Sequence, residues 1–313
     1  MKIFPYYLCL SEMLSTYPVL IFLIAAVVSW CMTGILIPFL EKSFIDTPNL
    51  RSSHHRPTPR GGGLAFVLTG SLLHLYVVTG PTKWIPIICL PLAFVSFFDD
   101  FKSLPAVARY LVQLGTAFGI VVWSGHSISM MAATIFLVIV ITAIINFTNF
   151  MDGLDGLVAG CGVLLMAATS SWAISGAIFG FLIWNWSPAK VFMGDVGSTF
   201  IGAVFAGMLL QRESSLEIFY TMLIGFPLLA DSFVTLIRRL INRENIFKPH
   251  RKHLFQRLHQ SGWAHKRVAL LYISGVAVLL SVNTFFNIFV VILAILCELL
   301  IAIYLEMKVA IRF

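Results

Sequence analysis

The chain has 313 residues, 59% of them hydrophobic and 11% charged, with a mean hydropathy of +0.92 and a net charge of +7 at pH 7. Soluble domains carry about 25% charged residues, so an ordinary soluble globular protein is excluded. The apolar runs are continuous rather than alternating, which argues against a β-barrel and for a helical membrane protein.

In chain order, eleven apolar stretches are predicted to span as helices: 18–40, 64–80, 84–98, 107–123, 130–147, 155–172, 174–186, 198–212, 216–237, 268–284 and 286–306. The seventh is short, and ten spans result if 155–186 is divided otherwise. The expected fold class is all-α, a polytopic membrane helical bundle forming one integral-membrane domain across residues 1–313. The N-terminus carries Lys2 but no short apolar region followed by a small-x-small site, and is read as uncleaved. Cys9, Cys31, Cys89, Cys161 and Cys297 are scattered without a CxxC pair and are read as single thiols. No internal repeat is visible.

Orientation follows from the basic residues. Placing the 41–63 loop in the cytoplasm puts 18 of the 21 lysines and arginines on that side, leaving Lys2, Lys83 and Arg212 outside. The N-terminus is then periplasmic and the C-terminus cytoplasmic. The positive charge is accounted for in this way, and no nucleic-acid partner is expected. The five cytoplasmic loops are polar and chemically loaded, whereas outer connections such as "TGPTK", "SGHSIS" and "QRESS" are short and plain. A site facing the cytoplasm is expected.

Each loaded loop has a plain structural reading beside a functional one. Asp99 and Asp100 end the third span in "VSFFDDFKS". Two acids at a helix C-terminus oppose the macrodipole, so a metal- or proton-handling pair is favoured over a solvated end partnered by Lys102. Asp152 and Asp155 in "NFTNFMDGLDGL" share a face if helical, or cap the next span, but capping leaves Asn146 and Asn149 unexplained. "PAKVFMGDVGS" sets Asp195 in a glycine-rich turn before a helix, a place where backbone N–H groups meet phosphate. Residues 238–267 are rich in Lys and Arg and include His250 and His253. They read either as a contact for anionic headgroups or as a phosphate clamp in which His250, Arg251, Lys252 and His253 supply donors. Acids, glycine turns and a basic clamp together point to metal-assisted phosphoryl chemistry on a diphosphate. The apolar body points to a lipid as one substrate.

On these residues the chain resembles the polyprenyl-phosphate N-acetylhexosamine-1-phosphate transferases over roughly residues 40–265. "FFDDF" is similar to the family's paired-Asp motif, "NFMDGLDGL" to its Asn-Phe-x-Asp-Gly-x-Asp-Gly signature, and "NWSPAKVFMGDVGS" to its motif that opens Asn-x-x-Pro-Ala and closes Phe-Met-Gly-Asp. "RPTPRGGGLAF" is similar to its first-loop motif through Thr58 and Gly62. The resemblance implies catalytic roles for Asp99, Asp100, Asp152 and Asp155. It implies substrate contacts at Thr58, Lys102, Asn149, Asn185, His250, Arg251 and His253, and metal ligation by Asp195 with Asp100. The cofactor implied is Mg2+, with Mn2+ as the alternative. "HRKHLFQRL" departs from the adjacent histidines of cell-wall members and resembles the branch that starts O-antigen or capsule chains.

The implied reaction joins a UDP-N-acetylhexosamine to undecaprenyl phosphate, giving the lipid diphosphate sugar and UMP at the cytoplasmic face of a bacterial inner membrane; a homodimer is compatible with it. A phosphate monoester is largely dianionic at neutral pH, so direct displacement is expected, with Asp100 towards the metal and Asp99 towards the lipid phosphate. Two rival readings are an intramembrane aspartyl protease and a secondary transporter. The first needs two acids at membrane depth and no metal, and the second needs loaded loops on both sides.

Overall fold

The computed structural model describes residues 17–48, 53, 56–102, 104–125, 131–246, 248 and 250–313. The readings at Lys2 and Cys9 and most of the outer "SGHSIS" loop lie outside the described residues. The four cysteines that are described, Cys31, Cys89, Cys161 and Cys297, are free thiols.

The described residues are mainly helical. In order come α1 (Pro18–Ser43), α2 (Gly63–Val77), α3 (Ile85–Lys102), α4 (Ala106–Trp123), α5 (Met131–Phe150), α6 (Leu157–Ala168) and α7 (Trp172–Asn185). They are followed by α8 (Gly194–Leu209), α9 (Ser215–Leu223), α10 (Phe226–Ile241), α11 (Leu254–Gln260), α12 (His265–Phe285) and α13 (Ile288–Lys308). A short ribbon, β1 (Ile45–Asp46) with β2 (Thr58–Pro59), folds the first loaded loop back on itself. Neither the ribbon nor α11 was expected from the hydropathy pattern.

Helices stand at all eleven predicted stretches, but they are not equivalent. Among the described residues, six helices are long and apolar enough to cross a membrane: α1, α3 with its preceding 3-10 turn, α4, α5, α12 and α13. The predicted span 216–237 is two helices, α9 and α10, bent by 82°; taken as one they make a seventh. Gly225 at the N-cap and a proline in the first turn of α10 explain the break, because proline lacks the N–H that would continue the helix. Helices α2, α6, α7 and α8, of 15, 12, 14 and 16 residues, are apolar but short.

Burial explains the short ones. Every residue of α8 except Asp195 is buried, so this helix is the axis of the bundle rather than part of its lipid-facing shell. Helix α7 presses against α1 through Gly176 and Gly180, where a Cβ would lie 2.1 Å from the carbonyl oxygens of Phe22 and Ala26. Small residues four apart let helix backbones meet, which is the main source of packing energy where lipid is as apolar as the side chains. The large apolar side chains left outward, such as Leu23 and Ile35 on α1 and Leu293 and Leu300 on α13, face the surroundings.

The helices alternate in direction, and contacts gather the five loaded loops at one end. Arg60 reaches Asp100 and Asp195, Asp155 reaches Ala189 and His265, and Glu306 near the C-terminus reaches Arg238 and Arg257. One-sided loading, read first from charge, is therefore a property of the packed bundle.

Candidate active site

The first loop is positioned by backbone pairing. Asp46 pairs with Thr58 and Ile45 with Pro59, and the Arg60 N–H donates to the Phe44 carbonyl at 2.8 Å. Phe44 stacks on Phe97 and Phe101, with ring centroids 5.2 and 4.8 Å away, which ties the ribbon to the end of α3. Across the site, the Phe192 N–H donates to the Pro59 carbonyl at 2.8 Å. These restraints aim Arg60 between two acids. Its Nη2 lies 2.8 Å from Asp100 Oδ1 and 2.8 Å from Asp195 Oδ1. Burial works against the charged guanidinium, but Asp100 and Asp195 more than offset it and its pKa is raised. Thr58 is buried, and its hydroxyl donates to the Arg56 carbonyl at 3.1 Å, so its visible role is to shape this loop.

Asp100 belongs to α3 but caps α8. Its Oδ1 accepts from the Asp195 N–H at 3.1 Å and its Oδ2 from the Val196 N–H at 3.4 Å. A carboxylate is favoured there because the first N–H groups of a helix lack internal partners. The glycine-rich turn was expected to offer its N–H groups to phosphate; at Asp195 and Val196 a protein carboxylate takes them instead. Gly194 makes the approach feasible. Its φ is +74°, and a Cβ there would lie 2.3 Å from Asp100 Oδ2.

Asn149, at the end of α5, holds Asp195 from the other side. Its Nδ2 donates to Asp195 Oδ1 at 3.2 Å and to Ser198 Oγ at 2.9 Å. Asp152 and Asp155 follow in a non-helical turn, so they do not share a helix face, and Gly156 rather than either acid is the N-cap of α6. Burial, and then the negative charge of Asp195, push the Asp152 carboxyl up to about 8. Burial also works to raise Asp155, but hydrogen bonding to His265 prevails and its pKa is lowered. His265 Nδ1 lies 3.2 Å from Asp155 Oδ1, and its Nε2 lies 3.0 Å from the Ser53 carbonyl. Asn185 is buried and staples two loops, accepting from the Gly156 N–H at 3.0 Å and donating to the Val191 carbonyl at 2.9 Å.

The two members of the Asp pair diverge, as adjacent helical positions must. Asp99 turns away from Asp195 and meets Arg109 Nη1 at 3.0 Å and the Leu104 N–H at 2.6 Å. Lys102, the sequence partner considered for it, is instead exposed over the Phe101 ring. Each Asp of the pair thus lies under an arginine: Asp99 under Arg109, Asp100 under Arg60.

In the basic loop, the His250 and His253 rings stack with centroids 5.0 Å apart, although two residues separate them in sequence. Asp231 on α10 secures this corner. It accepts from the Leu254 and Phe255 N–H groups at 2.8 and 3.1 Å, and lies 3.6 Å from His253 Nδ1. Burial, and then the neighbouring His253, lower the His250 pKa to about 4, so it is a neutral imidazole at pH 7 rather than a cation. The clamp's positive charge therefore rests on Arg and Lys.

Two cavities open here. The first, about 260 Å³, is lined by Asp46, Ser53, Arg60, Asp152, Gly153, Leu154, Asp155, Asn185, Phe192, Gly194, Asp195, Gln256 and His265. The second, about 290 Å³, is lined by basic Arg109, Arg239 and Lys248, by His250 and His253, by apolar Leu92, Val95, Phe150 and Leu236, and by Asn146 and Asn149. Asp195 and Gln256 line both. Asp99, Asp100, Thr58, Lys102 and Arg251 line neither. The sequence reading missed Arg60, Arg109, Asp231, Arg239, Gln256 and His265 as site residues. The one available signal was Asp231, an acid inside an apolar run.

The donors around Asp195 suit a hard divalent cation. Asp100 and Asp195 each place a carboxylate oxygen, a hard ligand, 2.8 Å from one and the same nitrogen of Arg60. Among the described residues no three His, Cys, Asp or Glu side chains form a metal site alone. Mg2+ commonly uses one or two carboxylates and completes its shell with water and substrate phosphate.

Known proteins share sequence with this chain. Residues 83–212 match the model of glycosyl transferase family 4. The chain is 30% identical to a probable undecaprenyl-phosphate N-acetylglucosaminyl 1-phosphate transferase of Bacillus subtilis (strain 168), over 80% of this chain and 81% of that protein. It is 30% identical to the undecaprenyl-phosphate alpha-N-acetylglucosaminyl 1-phosphate transferase of Thermotoga maritima, over 73% and 77% of the two chains. It is also 30% identical, over 51% of this chain and 58% of the relative, to a phospho-N-acetylmuramoyl-pentapeptide-transferase of Synechococcus sp. (strain JA-3-3Ab). The chain is a member of glycosyl transferase family 4, the polyprenyl-phosphate N-acetylhexosamine-1-phosphate transferases.

Proposed function

We propose that this protein transfers an N-acetylhexosamine 1-phosphate from a UDP-sugar to undecaprenyl phosphate, releasing UMP, at the cytoplasmic face of a bacterial inner membrane. The observation that carries this reading is the meeting of two unlike cavities at Asp195: one acidic and polar, the other basic with an apolar wall. The Bacillus subtilis and Thermotoga maritima relatives are described as undecaprenyl-phosphate transferases, which fits the second cavity. Its basic lining suits a phosphate head and its apolar wall a prenyl chain. The first cavity suits the donor.

The reaction breaks the phosphoanhydride between the two donor phosphates and forms one between a lipid phosphate oxygen and the sugar-bearing phosphorus; UMP leaves. Asp195, with Asp100 behind it, would hold Mg2+, or Mn2+ in its place, which supplies charge neutralisation for the diphosphate and the departing UMP. Asn149 orients Asp195. Asp155 and His265 brace one wall of the donor cavity, and Asn185 fixes the loops that form it. Arg109, oriented by Asp99, and Arg239 and Lys248 would align the lipid phosphate for in-line attack; Asp99 acts through Arg109. His253, fixed by Asp231, and neutral His250 would offer N–H donors to the transferring phosphate. No covalent enzyme intermediate is needed, because the attacking phosphate is already an anion.

The form of the basic-loop motif, with Arg251 and Lys252 between the histidines, supports initiation of O-antigen or another surface glycan over peptidoglycan. The comparisons do not favour a protease or a transporter. The test is UMP release by purified protein. It should require a UDP-N-acetylhexosamine, undecaprenyl phosphate and a divalent cation together. Release that ignores the lipid, or persists in excess chelator, would refute the proposal.

A further inference from the structure

We propose that Arg60 is an exchangeable counter-ion of the acid pair, holding Asp100 and Asp195 until a divalent cation takes them and then turning into the donor cavity to pair with a diphosphate oxygen. This inference rests on the metal reading of Asp195 and Asp100.

Four observations lead here. A single nitrogen, Nη2, touches both carboxylates at 2.8 Å, so one cationic centre serves two acids. An ion about 2.1 Å from either oxygen would stand no more than about 4.9 Å from that nitrogen. Two like charges so close repel, so the guanidinium and the ion compete. The Asp100 side chain is only 1% exposed beneath Arg60, while the Arg60 side chain is 36% exposed. The second acid therefore becomes reachable when Arg60 moves. Finally, the backbone on either side is fixed, Arg60 N–H to Phe44 and the Pro59 carbonyl to Phe192, while Arg60 is itself among the residues that line the donor cavity. A rotamer change is enough to carry the charge from the acids towards a ligand, and a guanidinium suits phosphate oxygens.

The experiment uses full-length protein in detergent at pH 8, without substrates, titrated with Mn2+ and followed by electron paramagnetic resonance. Removing the competing cation with Arg60→Met should tighten Mn2+ binding at least about tenfold, and Arg60→Lys should fall between that variant and wild type. At saturating metal, Arg60→Met should raise the donor KM about tenfold with a smaller change in kcat, and Arg60→Lys should restore part of it. Should Arg60→Met not fold, Arg60→Lys against wild type gives the same comparison, with weaker competition and tighter Mn2+ expected. If Mn2+ affinity is unchanged in the Arg60 variants while Asp195→Asn weakens it, Arg60 is not the competitor and the inference falls alone. If Asp195→Asn leaves Mn2+ binding unaltered, the metal reading falls and this inference with it. An unchanged donor KM would refute the swing into the donor cavity.

Discussion

Asp195 is where both cavities, Arg60 and Asn149 meet, so the sharpest residue-level expectations concern its surroundings. Asp195→Asn should abolish transfer yet leave the folded protein intact, since this is the one residue of α8 that is not buried; near-normal turnover would remove it from the mechanism. Gly194→Ala tests the geometry rather than the charge. The new Cβ would meet Asp100 Oδ2 at 2.3 Å in a left-handed conformation, so both strain and loss of the Asp100 cap are expected. Activity should drop by at least about tenfold with a lower melting temperature, and normal values of both would contradict the close approach. His250 carries a pH signature. Its folded pKa of about 4 lies below the ordinary 6.5. Between these values the unfolded chain binds a proton that the folded loop refuses, so stability is lost as pH falls through this window. His250→Gln should flatten that part of the melting-temperature profile; an unaltered profile would mean that the imidazole is not held neutral. The Asp pair and Asp195 stood out in the sequence through their motifs, and the fold brings Asp100 and Asp195 onto one nitrogen of Arg60. Arg60 was not, because its meaning comes from a contact 135 residues away and nothing in "RPTPRGGG" marks it off from other loop arginines.

At the scale of elements, the basic loop depends on the end of α13. Glu306 binds Arg238 and Arg257, the Arg257 Nη1 donates to the Ile311 carbonyl at 2.9 Å, and Arg238, Lys252 and Arg257 surround the Phe313 ring at 4.9 to 5.5 Å. Arg257 Nε in turn donates to the Lys252 carbonyl, next to His253. The last residues therefore fix the arm that carries His250 and His253. Glu306→Ala would leave the buried Arg257 charge without its carboxylate, at a cost somewhat below the ~3–5 kcal/mol of a fully buried pair because Glu306 is partly exposed. Faster proteolysis within residues 243–253, with intact helices, is the expected readout; unchanged cleavage would show that the loop is held elsewhere. Hydropathy placed helices at all the apolar stretches, but it could not rank them. A helix buried in the bundle and one facing lipid are equally apolar, which is why α8 reads like α13 in sequence. The break between α9 and α10 was legible in principle from Gly225 and Pro227, yet the unbroken apolarity around them masked it. The ribbon rests on pairing of separated residues, and α11 on a distant cap from Asp231 beside its own local bond from the His253 N–H to Gln256, neither of which an apolar periodicity announces.

For the whole molecule, one bundle end gathers chemistry from loops spread between residues 44 and 265, and the rest of the chain supplies a scaffold suited to a lipid substrate. That arrangement was largely visible in advance from the distribution of charge. What charge could not show is that the site is divided into an acidic and a basic cavity joined at Asp195, since residues of either sign occur in the same loops. On the proposed reaction the acceptor phosphate meets the donor diphosphate at Asp195, which lines both cavities, so a phosphate travels together with its sugar. The direct measurement follows both labels at once. Purified protein in lipid is given undecaprenyl phosphate and a UDP-N-acetylhexosamine carrying one radioisotope in the sugar and another in the phosphate attached to it. The proposed reaction places both labels in the lipid product in equal amounts and releases unlabelled UMP. Sugar label in the lipid with the phosphate label left behind in UDP would contradict it and make the protein a transferase of sugar alone.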